Sequence, residues 1–262
     1  MKVAGKVTVV TGGASGIGRA LCERFHDEGA KAVVVADLDV SDAEKVAERI
    51  AAVAVGCDVA SEPDITRLID ETERRFGPID LFCSNAGIAT LDPQPDNVAG
   101  APDPAWQRSW EVHVMAHVHA ARALLPRMIA RGGGYFLNTV SAAGLLSQIG
   151  SAIYSTTKHA AVGFAENLAI MHRADGIRVS ILCPQGVDTP MLRSLPSGPQ
   201  SLDGVLAPEA VADAVIAGLD RESFLILPHP QVETYMRRKV ENYDRWIAGM
   251  AKLMASLKPP RT

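Results

Sequence analysis

The sequence predicts an α/β protein: a single domain built on a doubly wound parallel sheet of about seven strands, with a helical extension at its C-terminus. Three observations lead to this prediction. Short apolar runs recur along the chain, they do not alternate with polar residues, and segments of helical periodicity separate them. Strands that are apolar throughout are typical of a sheet covered on both faces. Strands and helices in alternation form right-handed βαβ units, which build such a sheet.

The predicted strands cover residues 7–10, 32–36, 53–55, 81–83, 135–139, 179–183 and 224–227. The predicted helices cover residues 19–28, 41–51, 63–76, 104–131 and 151–173, and a shorter one follows Pro208. Two segments rich in Pro, Gly, Ser and Asp, 88–105 and 193–207, are predicted to be loops, not domain linkers, because elements of the same alternating pattern flank both.

The last segment of the chain has a different pattern. From Pro228 onward, apolar residues recur at spacings of four and three, at positions 236, 240, 243, 247, 250, 254 and 257. This spacing predicts one amphipathic helix, so we divide the chain into a domain over 1–228 and a tail over 229–262. The tail either packs on its own domain or lies as an arm on a neighbouring subunit, since three turns of heptad do not distinguish the two.

Composition and charge exclude several classes of protein. The 262 residues include 26 basic and 30 acidic side chains, so there is no basic surplus to bind a nucleic acid. The four cysteines form no CxxC pair, which indicates reduced thiols in the cytosol and neither a zinc knuckle nor a dithiol redox site. The N-terminus shows no signal peptide and no apolar run approaches a membrane span. We expect a cytoplasmic protein with no membrane or nucleic-acid partner.

A glycine-rich turn follows the first predicted strand. Gly12, Gly16 and Gly18 let the backbone turn tightly and approach a pyrophosphate, which would then face the amide groups and positive end of the next helix. Such a turn also occurs as a tight connection with no ligand. Its position between a predicted strand and a predicted helix favours dinucleotide binding.

Asp37 ends the second predicted strand, nineteen residues after Gly18. A carboxylate at that distance can accept hydrogen bonds from both ribose hydroxyls of adenosine and would repel a 2′-phosphate. Acids at strand ends are also common without any ligand. Because the glycine turn itself contains no Lys or Arg, the sequence predicts NAD as the cofactor in preference to NADP.

Ser141, Tyr154 and Lys158 form a candidate catalytic set. Tyr154 and Lys158 are four residues apart on a predicted helix and so share one face. A neighbouring ammonium, helped by a positively charged nicotinamide, lowers the pKa of a tyrosine toward the range useful for acid–base catalysis. Ser141 follows a predicted strand at the carboxyl end, where open α/β sheets bind ligands. Its hydroxyl could hold a substrate oxygen beside the phenol.

These motifs, in this order and spacing, resemble the short-chain dehydrogenase/reductase family over residues 6–227. The shared motifs are Thr11-Gly12-x-x-x-Gly16-Ile17-Gly18, Asp58-Val59, Asn85-Ala86-Gly87, Ser141, Tyr154-x-x-x-Lys158 and the segment 184–189. The resemblance implies a Rossmann-like sheet of seven strands and an NAD(P)-dependent oxidoreductase. It further implies that Tyr154 is the acid/base, that Lys158 binds the nicotinamide ribose and tunes Tyr154, and that Ser141 orients the alcohol or carbonyl.

The resemblance also implies a set of cofactor contacts. Asp58 and Val59 would meet the adenine. Asn85, Ala86 and Gly87 would line the cofactor and stabilise the central sheet. Val187 and Thr189 would anchor the carboxamide. The predicted cofactor-binding set also includes the glycine turn, the acid with the residue that follows it, and the catalytic pair: Gly12, Ser15, Gly16, Ile17, Gly18, Asp37, Leu38, Tyr154 and Lys158.

Two positions depart from the family pattern. His113 stands where the family usually has an asparagine, which holds a proton-relaying water largely through its backbone carbonyl. His113 either preserves that contact as a tolerated replacement or changes the relay or its pH dependence. His113 and His117 also have the spacing of zinc ligands, but no third ligand is evident and no metal is predicted. Gln185 replaces a common glycine, and its side chain either crowds the nicotinamide or donates a hydrogen bond to the substrate.

The resulting hypothesis is an NAD-dependent dehydrogenase that interconverts a secondary alcohol and a ketone. The predicted substrate contacts are Ser141, Leu145, Gln148, Tyr154, Gln185 and Met191. The walls at 142–149 and 191–192 are mostly apolar, which favours a lipid-like, steroid, terpenoid or aromatic alcohol over a sugar. The alternative is a non-catalytic dinucleotide-binding protein with a regulatory or scaffold role, which would have no use for the catalytic set.

The family's long helices are similar to a four-helix dimer contact, so the resemblance implies a homotetramer. The predicted helix 104–131 carries a face of small side chains that would permit a second helix to approach closely, at Ala116, His119, Ala120 and Ala123.

Overall fold

The computed structural model describes residues 1–94, 97–196 and 198–257. Seven parallel strands form one sheet in the order β3-β2-β1-β4-β5-β6-β7, which confirms the predicted fold class. The strands are β1 Val7–Thr11, β2 Ala32–Asp37, β3 Val53–Gly56, β4 Leu81–Ser84, β5 Gly134–Thr139, β6 Ile177–Leu182 and β7 Leu225–Ile226. The chain reverses its direction of winding between β3 and β4, so β1 lies between β2 and β4 and their carboxyl ends frame a crevice.

Most helices occupy the predicted intervals, whereas the short helix Pro190–Arg193 was not predicted and the tail differs as described below. They are α1 Gly16–Asp27, α2 Val40–Arg49, α3 Glu62–Phe76, α4 Asp103–Trp110, α5 Ala116–Ala130, α6 Ala152–His172, α7 Pro190–Arg193, α8 Pro208–Arg221, α9 Gln231–Glu241 and α10 Tyr243–Leu257. A π-helical turn, Glu111–Met115, joins α4 to α5 without a break. Local chemistry accounts for several starts: the side chains of Asp39, Ser61 and Ser151 accept hydrogen bonds from backbone amides in the first turns of α2, α3 and α6.

Two apolar layers cover the faces of the sheet. One layer packs β-strand side chains such as Val9, Phe82 and Phe136 against α3, α5 and α6, and the other packs Val10, Val35 and Leu137 against α1, α2 and α8. Successive residues of a strand therefore point to opposite layers, and both layers are apolar. This explains why the strands read as continuous hydrophobic runs.

The tail differs from its prediction, because it is two helices instead of one. Asn242 adopts an extended conformation, with φ −157° and ψ 97°, between α9 and α10. Its side-chain oxygen accepts a hydrogen bond from the Arg245 amide at 2.8 Å, so Asn242 caps the start of α10. Helix α9 packs on its own domain, where Val232 is fully buried and the Lys239 ammonium donates to the Leu145 carbonyl at 2.7 Å.

Two of the four residues expected to meet a second subunit do not reach the surface of the protein. Ala116 and Ala120 are 5% and 0% exposed, because they pack into this chain's own core. The large apolar side chains exposed on the neighbouring helix α6 are Ile170 and Met171. None of the helices in the described ranges is both long and apolar enough to cross a membrane.

Candidate active site

The turn at Gly12, Gly16 and Gly18, called the glycine cradle below, has no room for a side chain at the positions of its glycines. A Cβ on Gly18 would lie 1.9 Å from the Gly12 carbonyl oxygen, and one on Gly16 would lie 2.8 Å from Thr189 Cγ2. Gly12 and Gly16 also have positive φ, at +66° and +51°. Ser15, which is exposed, precedes the first turn of α1, and Ile17 lies within that turn. The backbone amides at the start of α1 therefore face an open surface that an anion can approach.

Asp37 lies directly beside this turn. Its carboxylate accepts hydrogen bonds from the Ala14 amide at 3.0 Å and from the Asp39 amide at 3.1 Å. The neighbouring Leu38 is 69% exposed, as an apolar side chain at the rim of a ligand site can be. The arrangement presents a fixed carboxylate next to the amides of the turn, which suits a ribose diol adjoining a pyrophosphate.

Asp58 and Val59 follow β3 at the same edge of the sheet. Val59 is buried, whereas the Asp58 carboxylate accepts from the Ala60 amide at 3.0 Å and from the Arg108 guanidinium at 3.4 Å. Arg108 was not among the residues singled out from the sequence. Its position in α4 shows that this helix reaches the proposed adenine end.

Asn85 joins three strands beneath the turn. Its amide nitrogen donates to the Thr11 carbonyl at 3.0 Å, and its carbonyl oxygen accepts from the Thr139 hydroxyl at 3.0 Å. The Thr11 hydroxyl accepts from the amides of Asn85 and Ala86 at 3.0 and 3.2 Å. Thr11 was also missed as a site residue, although a polar residue that ends an apolar strand is a signal that could have identified it.

Gly87 connects the cofactor side of the crevice to the catalytic side. A Cβ there would lie 3.7 Å from both His113 Nε2 and Lys158 Nζ. Glycine thus leaves open the space in front of these two nitrogens.

The three predicted catalytic residues converge at the carboxyl end of β5. Lys158 is 3% exposed, and its ammonium donates to the Thr139 carbonyl at 3.1 Å and lies 5.6 Å from the Tyr154 ring centre. The Ser141 hydroxyl accepts from the Ala143 amide at 3.1 Å. Ser151, which caps α6, accepts from the Tyr154 amide and so holds this tyrosine in the first turn of the helix.

Burial acts on both titratable groups in this set. Burial raises the pKa of the Tyr154 phenol above 10, while a hydrogen bond with Ser141 acts in the opposite direction. Burial also lowers the pKa of Lys158 from 10.5 to about 8. In the protein by itself, burial therefore outweighs the hydrogen bond from Ser141, and the pKa of the phenol lies above its ordinary value.

His113 lies in the π-helical turn, fully buried, with both ring nitrogens in contact with neighbours. Nδ1 lies 2.9 Å from the Thr157 hydroxyl, and Nε2 lies 3.1 Å from the Ile88 amide and 3.0 Å from the Ile88 carbonyl. Its ring meets the Tyr154 ring edge-on, with 5.4 Å between centres. Burial, followed by the charge of Lys158, lowers the pKa of His113 to about 2. The imidazole is neutral at any working pH and links the loop after β4 to the catalytic helix.

The predicted residues on the far side of the crevice are less closely grouped. Val187 is buried and pairs with Leu206 across an isolated bridge, and Thr189 caps α7 and adjoins Gly16. Gln148 donates from its side-chain amide to the Gln200 side chain at 3.2 Å, so it ties one wall to the other. Leu145 is half-buried and Met191 is 37% exposed.

Gln185 makes a contact that the sequence did not indicate. Its backbone amide donates to His229 Nδ1 at 3.1 Å. Its side-chain oxygen is buried and has no hydrogen-bond partner within the described part of the chain. Three residues were missed: His229 and Lys239 belong to no motif, and Thr157 is one of the variable positions between Tyr154 and Lys158. Each becomes part of the site only through tertiary contacts.

The residues present fit a dinucleotide. The cofactor side has glycines that leave no room for a Cβ, the amides at the start of α1 and the Asp37 carboxylate beside them. The catalytic side, with Ser141, Tyr154 and Lys158, lies beyond Gly87. Among the described residues, no group of three His, Cys, Asp or Glu side chains could hold a metal ion.

Comparison with known proteins agrees with this geometry. The family model described as short chain dehydrogenase matches residues 6–200. The chain is 34% identical to 1-deoxy-11-beta-hydroxypentalenate dehydrogenase of Streptomyces exfoliatus, over 97% of this chain and 91% of that protein. It is 32% identical to epidermal retinol dehydrogenase 2 of Homo sapiens, over 86% of this chain and 75% of that protein.

A solved structure gives the same result. A short-chain dehydrogenase/reductase from Burkholderia phymatum in complex with NAD superposes with a TM-score of 0.83 at 27% identity, covering 93% of this chain and 96% of that one. The resemblance seen in the sequence motifs is confirmed. The chain belongs to the short-chain dehydrogenase family.

Proposed function

We propose that this protein is an NAD-dependent oxidoreductase that interconverts a secondary alcohol and its ketone. The observation that carries the proposal is the convergence of Ser141, Tyr154 and Lys158 at the carboxyl end of β5, within reach of the glycine cradle through Gly87. A protein that only bound a dinucleotide would need the cradle but not this set. Nothing in the comparisons favours the non-catalytic alternative.

For oxidation, the Tyr154 phenolate takes the proton from the substrate hydroxyl, and the Ser141 hydroxyl holds the substrate oxygen. The C–H hydrogen leaves with its electron pair as hydride, and the C–O bond becomes a carbonyl, so the substrate loses one hydride to the acceptor and one proton to Tyr154. When bound, oxidised nicotinamide supplies the hydride acceptor at its C4 atom. The binding groups must hold the donor carbon within about 3–3.5 Å of that atom.

Lys158 acts on Tyr154 through its charge. Its side chain is held by the Thr139 carbonyl at the back of the site, 5.6 Å from the phenol ring centre. From there the ammonium stabilises the phenolate once the proton has left, and it would bind the nicotinamide ribose when the cofactor is bound. His113 is neutral and contributes position, not charge, to the same helix.

NAD, in preference to NADP, is the proposed cofactor. Support comes from the Asp37 carboxylate beside the turn amides and from relatives solved with NAD or NADH, including a 3-ketoacyl-(acyl-carrier-protein) reductase from Brucella melitensis with 29% identity and a TM-score of 0.79, covering 86% of this chain and 97% of that one. Calorimetry with both cofactors tests this. Asp37→Asn is expected to narrow the preference for NAD, and tighter binding of NADP by the wild type would overturn the proposal.

The proposed substrate is an apolar alcohol. Two of the predicted substrate contacts, the half-buried Leu145 and the partly exposed Met191, are apolar, and the names of the relatives refer to hydroxypentalenate, retinol and 3β-hydroxysteroid dehydrogenases. A panel of terpenoid, steroid and aromatic secondary alcohols beside small sugars distinguishes the classes. Faster turnover of the sugars would contradict the proposal.

The decisive experiment follows absorbance at 340 nm with NAD and this panel, comparing the wild type with Tyr154→Phe. We expect turnover in the wild type and a loss of at least about a hundredfold in the variant. Tyr243→Phe is the matched control, because Tyr243 is 56% exposed on the tail and is expected to leave the rate unchanged. Wild-type rates in Tyr154→Phe would refute the assigned role.

We further propose a cytoplasmic homotetramer. All four cysteines are free and buried, as is typical of proteins of a reducing compartment. The exposed Ile170 and Met171 on α6 are the apolar side chains that a second subunit would cover. Light scattering tests the assembly, and deletion of residues 229–262 tests whether the tail takes part in it. An unchanged oligomer mass would remove the tail from the interface.

A further inference from the structure

His229 occupies a junction between the end of the sheet and the active site. It lies between β7 and α9 and is 2% exposed. Its carbonyl oxygen accepts from the Val232 amide at 3.1 Å at the start of α9. On the other side, its Nδ1 accepts the backbone N–H of Gln185 at 3.1 Å. This residue therefore links the tail, through its backbone carbonyl, to the turn that follows β6, through its ring.

That turn, Pro184 to Gly186, holds the catalytic serine segment. The Pro184 carbonyl accepts from the Ala142 amide at 2.9 Å and lies 3.5 Å from the Ser141 hydroxyl. No strand or helix includes residues 184–186, so the turn lacks a ladder of its own. The His229 ring supplies the acceptor that a neighbouring strand would otherwise provide.

The same turn forms the base of the segment 198–206, called the substrate loop here because its Gln200 side chain accepts from the predicted substrate contact Gln148. The Gly186 amide donates to the Gln200 carbonyl at 2.7 Å, and the Gly186 carbonyl accepts from the Leu206 amide at 3.1 Å. A shift of the Gln185 backbone would therefore move both the serine on one side and the substrate loop on the other.

We propose that His229 is a positioning residue for the dehydrogenase reaction: through Gln185 it fixes the turn that sets the Ser141 hydroxyl and the base of the substrate loop. The proposal rests on the function proposed above. It concerns a residue outside every motif of the sequence, and it does not give the imidazole contact with the reacting atoms.

The role requires one tautomer of the ring, in which the buried Nε2–H has no hydrogen-bond partner among the described residues. An acceptor at Nδ1 requires that the ring proton sit on Nε2. Burial lowers the pKa of His229, while the nearby carbonyls of Gly186 and Gly204 and the charge of Asp203 act in the opposite direction. With burial dominant, the ring is neutral at pH 7 and Nδ1 is free to accept.

Three substitutions separate the acceptor from the rest of the ring. In His229→Asn, Oδ1 can take the place of Nδ1, whereas in His229→Gln the acceptor lies one bond further out, and His229→Leu has none. With NAD and the best alcohol of the panel, we expect His229→Asn to keep kcat/KM within about threefold of the wild type. His229→Leu is expected to lose about ten- to a hundredfold, because a buried amide is left without a partner. His229→Gln should lie near His229→Leu.

The split between kcat and KM identifies positioning. A displaced serine and loop should raise KM for the alcohol as well as lower kcat, whereas a partly unfolded preparation lowers kcat alone. Binding of ADP-ribose, measured by calorimetry, is expected to stay within about twofold in all variants, because none of the atoms nearest to Gly12, Gly16 and Gly18 belongs to His229 or to the turn 184–186.

Several results would overturn the proposal. They are a folded His229→Leu with wild-type kcat/KM, a loss confined to kcat, or equal activities of His229→Asn and His229→Gln. The last comparison remains decisive if His229→Leu does not fold. If the wild type itself turns over no alcohol although it binds NAD, the proposed function fails, and that outcome is distinct from any of the three.

Discussion

Replacing Lys158 by methionine is expected to stabilise the protein while it abolishes the reaction. Lys158 is 3% exposed, and burial lowers the pKa of its ammonium from 10.5 to about 8. Since one pKa unit corresponds to about 1.4 kcal/mol, the buried charge costs the folded state roughly 3 kcal/mol. Methionine fills the same space without the charge. Loss of the donor to the Thr139 carbonyl opposes the gain by about 1 kcal/mol, which leaves a net stabilisation of about 2 kcal/mol.

The dependence on pH has a definite sign. Below pH 8 the folded and unfolded chains both carry the charge of Lys158, so the cost is fully present. Above about pH 8 the folded protein releases the proton, whereas the unfolded chain keeps it until the pH approaches 10.5. The stability of the wild type therefore rises through this window. Lys158→Met lacks that rise, so the advantage of the variant should shrink as the pH approaches 10.

Thermal unfolding of the cofactor-free protein at pH 7 and pH 9.5 measures both effects. For a chain of this size, about 2 kcal/mol corresponds to a rise in Tm of roughly 4–8 °C at pH 7. The matched control is Lys252→Met, at an exposed position of α10, where we expect no change. A Lys158→Met variant that is no more stable than the wild type at pH 7, or whose advantage is the same at both pH values, would refute the reasoning.

Three further outcomes follow from the geometry. Asn85→Ala removes the bonds that join β1, β4 and β5, and urea unfolding should show a loss of about 2–4 kcal/mol, against little change for the exposed Asn167→Ala. Gly18→Ala places a Cβ on the Gly12 carbonyl, so calorimetry should detect no NAD binding; wild-type affinity would contradict the cradle. His113→Asn should change the height but not the shape of the kcat/KM profile between pH 5 and 8, because the pKa of His113 is about 2. If the wild-type profile shows an ionisation that is absent from His113→Asn, the imidazole of His113 ionises in this pH range and the reasoning is wrong.

Local patterns were sufficient for the order of elements and for most of the site. Apolar runs predicted all seven strands to within about two residues at each end, because strands buried on both faces carry little else. The glycines of the cradle and the pair Tyr154 and Lys158 were found from spacing, since a turn and one face of a helix are short-range geometry. The seventh strand is shorter than predicted, as its two residues pair with β6 alone at the edge of the sheet.

The tail shows where periodicity misleads. The spacing of apolar residues runs through position 242 without interruption, so one helix was predicted. Asn242 ends that helix because its side chain caps α10 instead, a local competition that the hydrophobic pattern does not register. In the same way, the small residues Ala116 and Ala120 favoured contact with a second subunit, whereas they lie against this chain's own sheet.

The sequence by itself determined the doubly wound sheet, the cofactor cradle and the identity of the reactive groups, because these depend on residue type and short spacing. Only the tertiary structure decided which polar groups meet across the chain: Asn85 with Thr11 and Thr139, and His229 with Gln185. Such contacts join residues more than forty positions apart, and in two of the three the partner is a backbone atom that every residue possesses. No pattern of side chains can specify them until packing has brought the segments together.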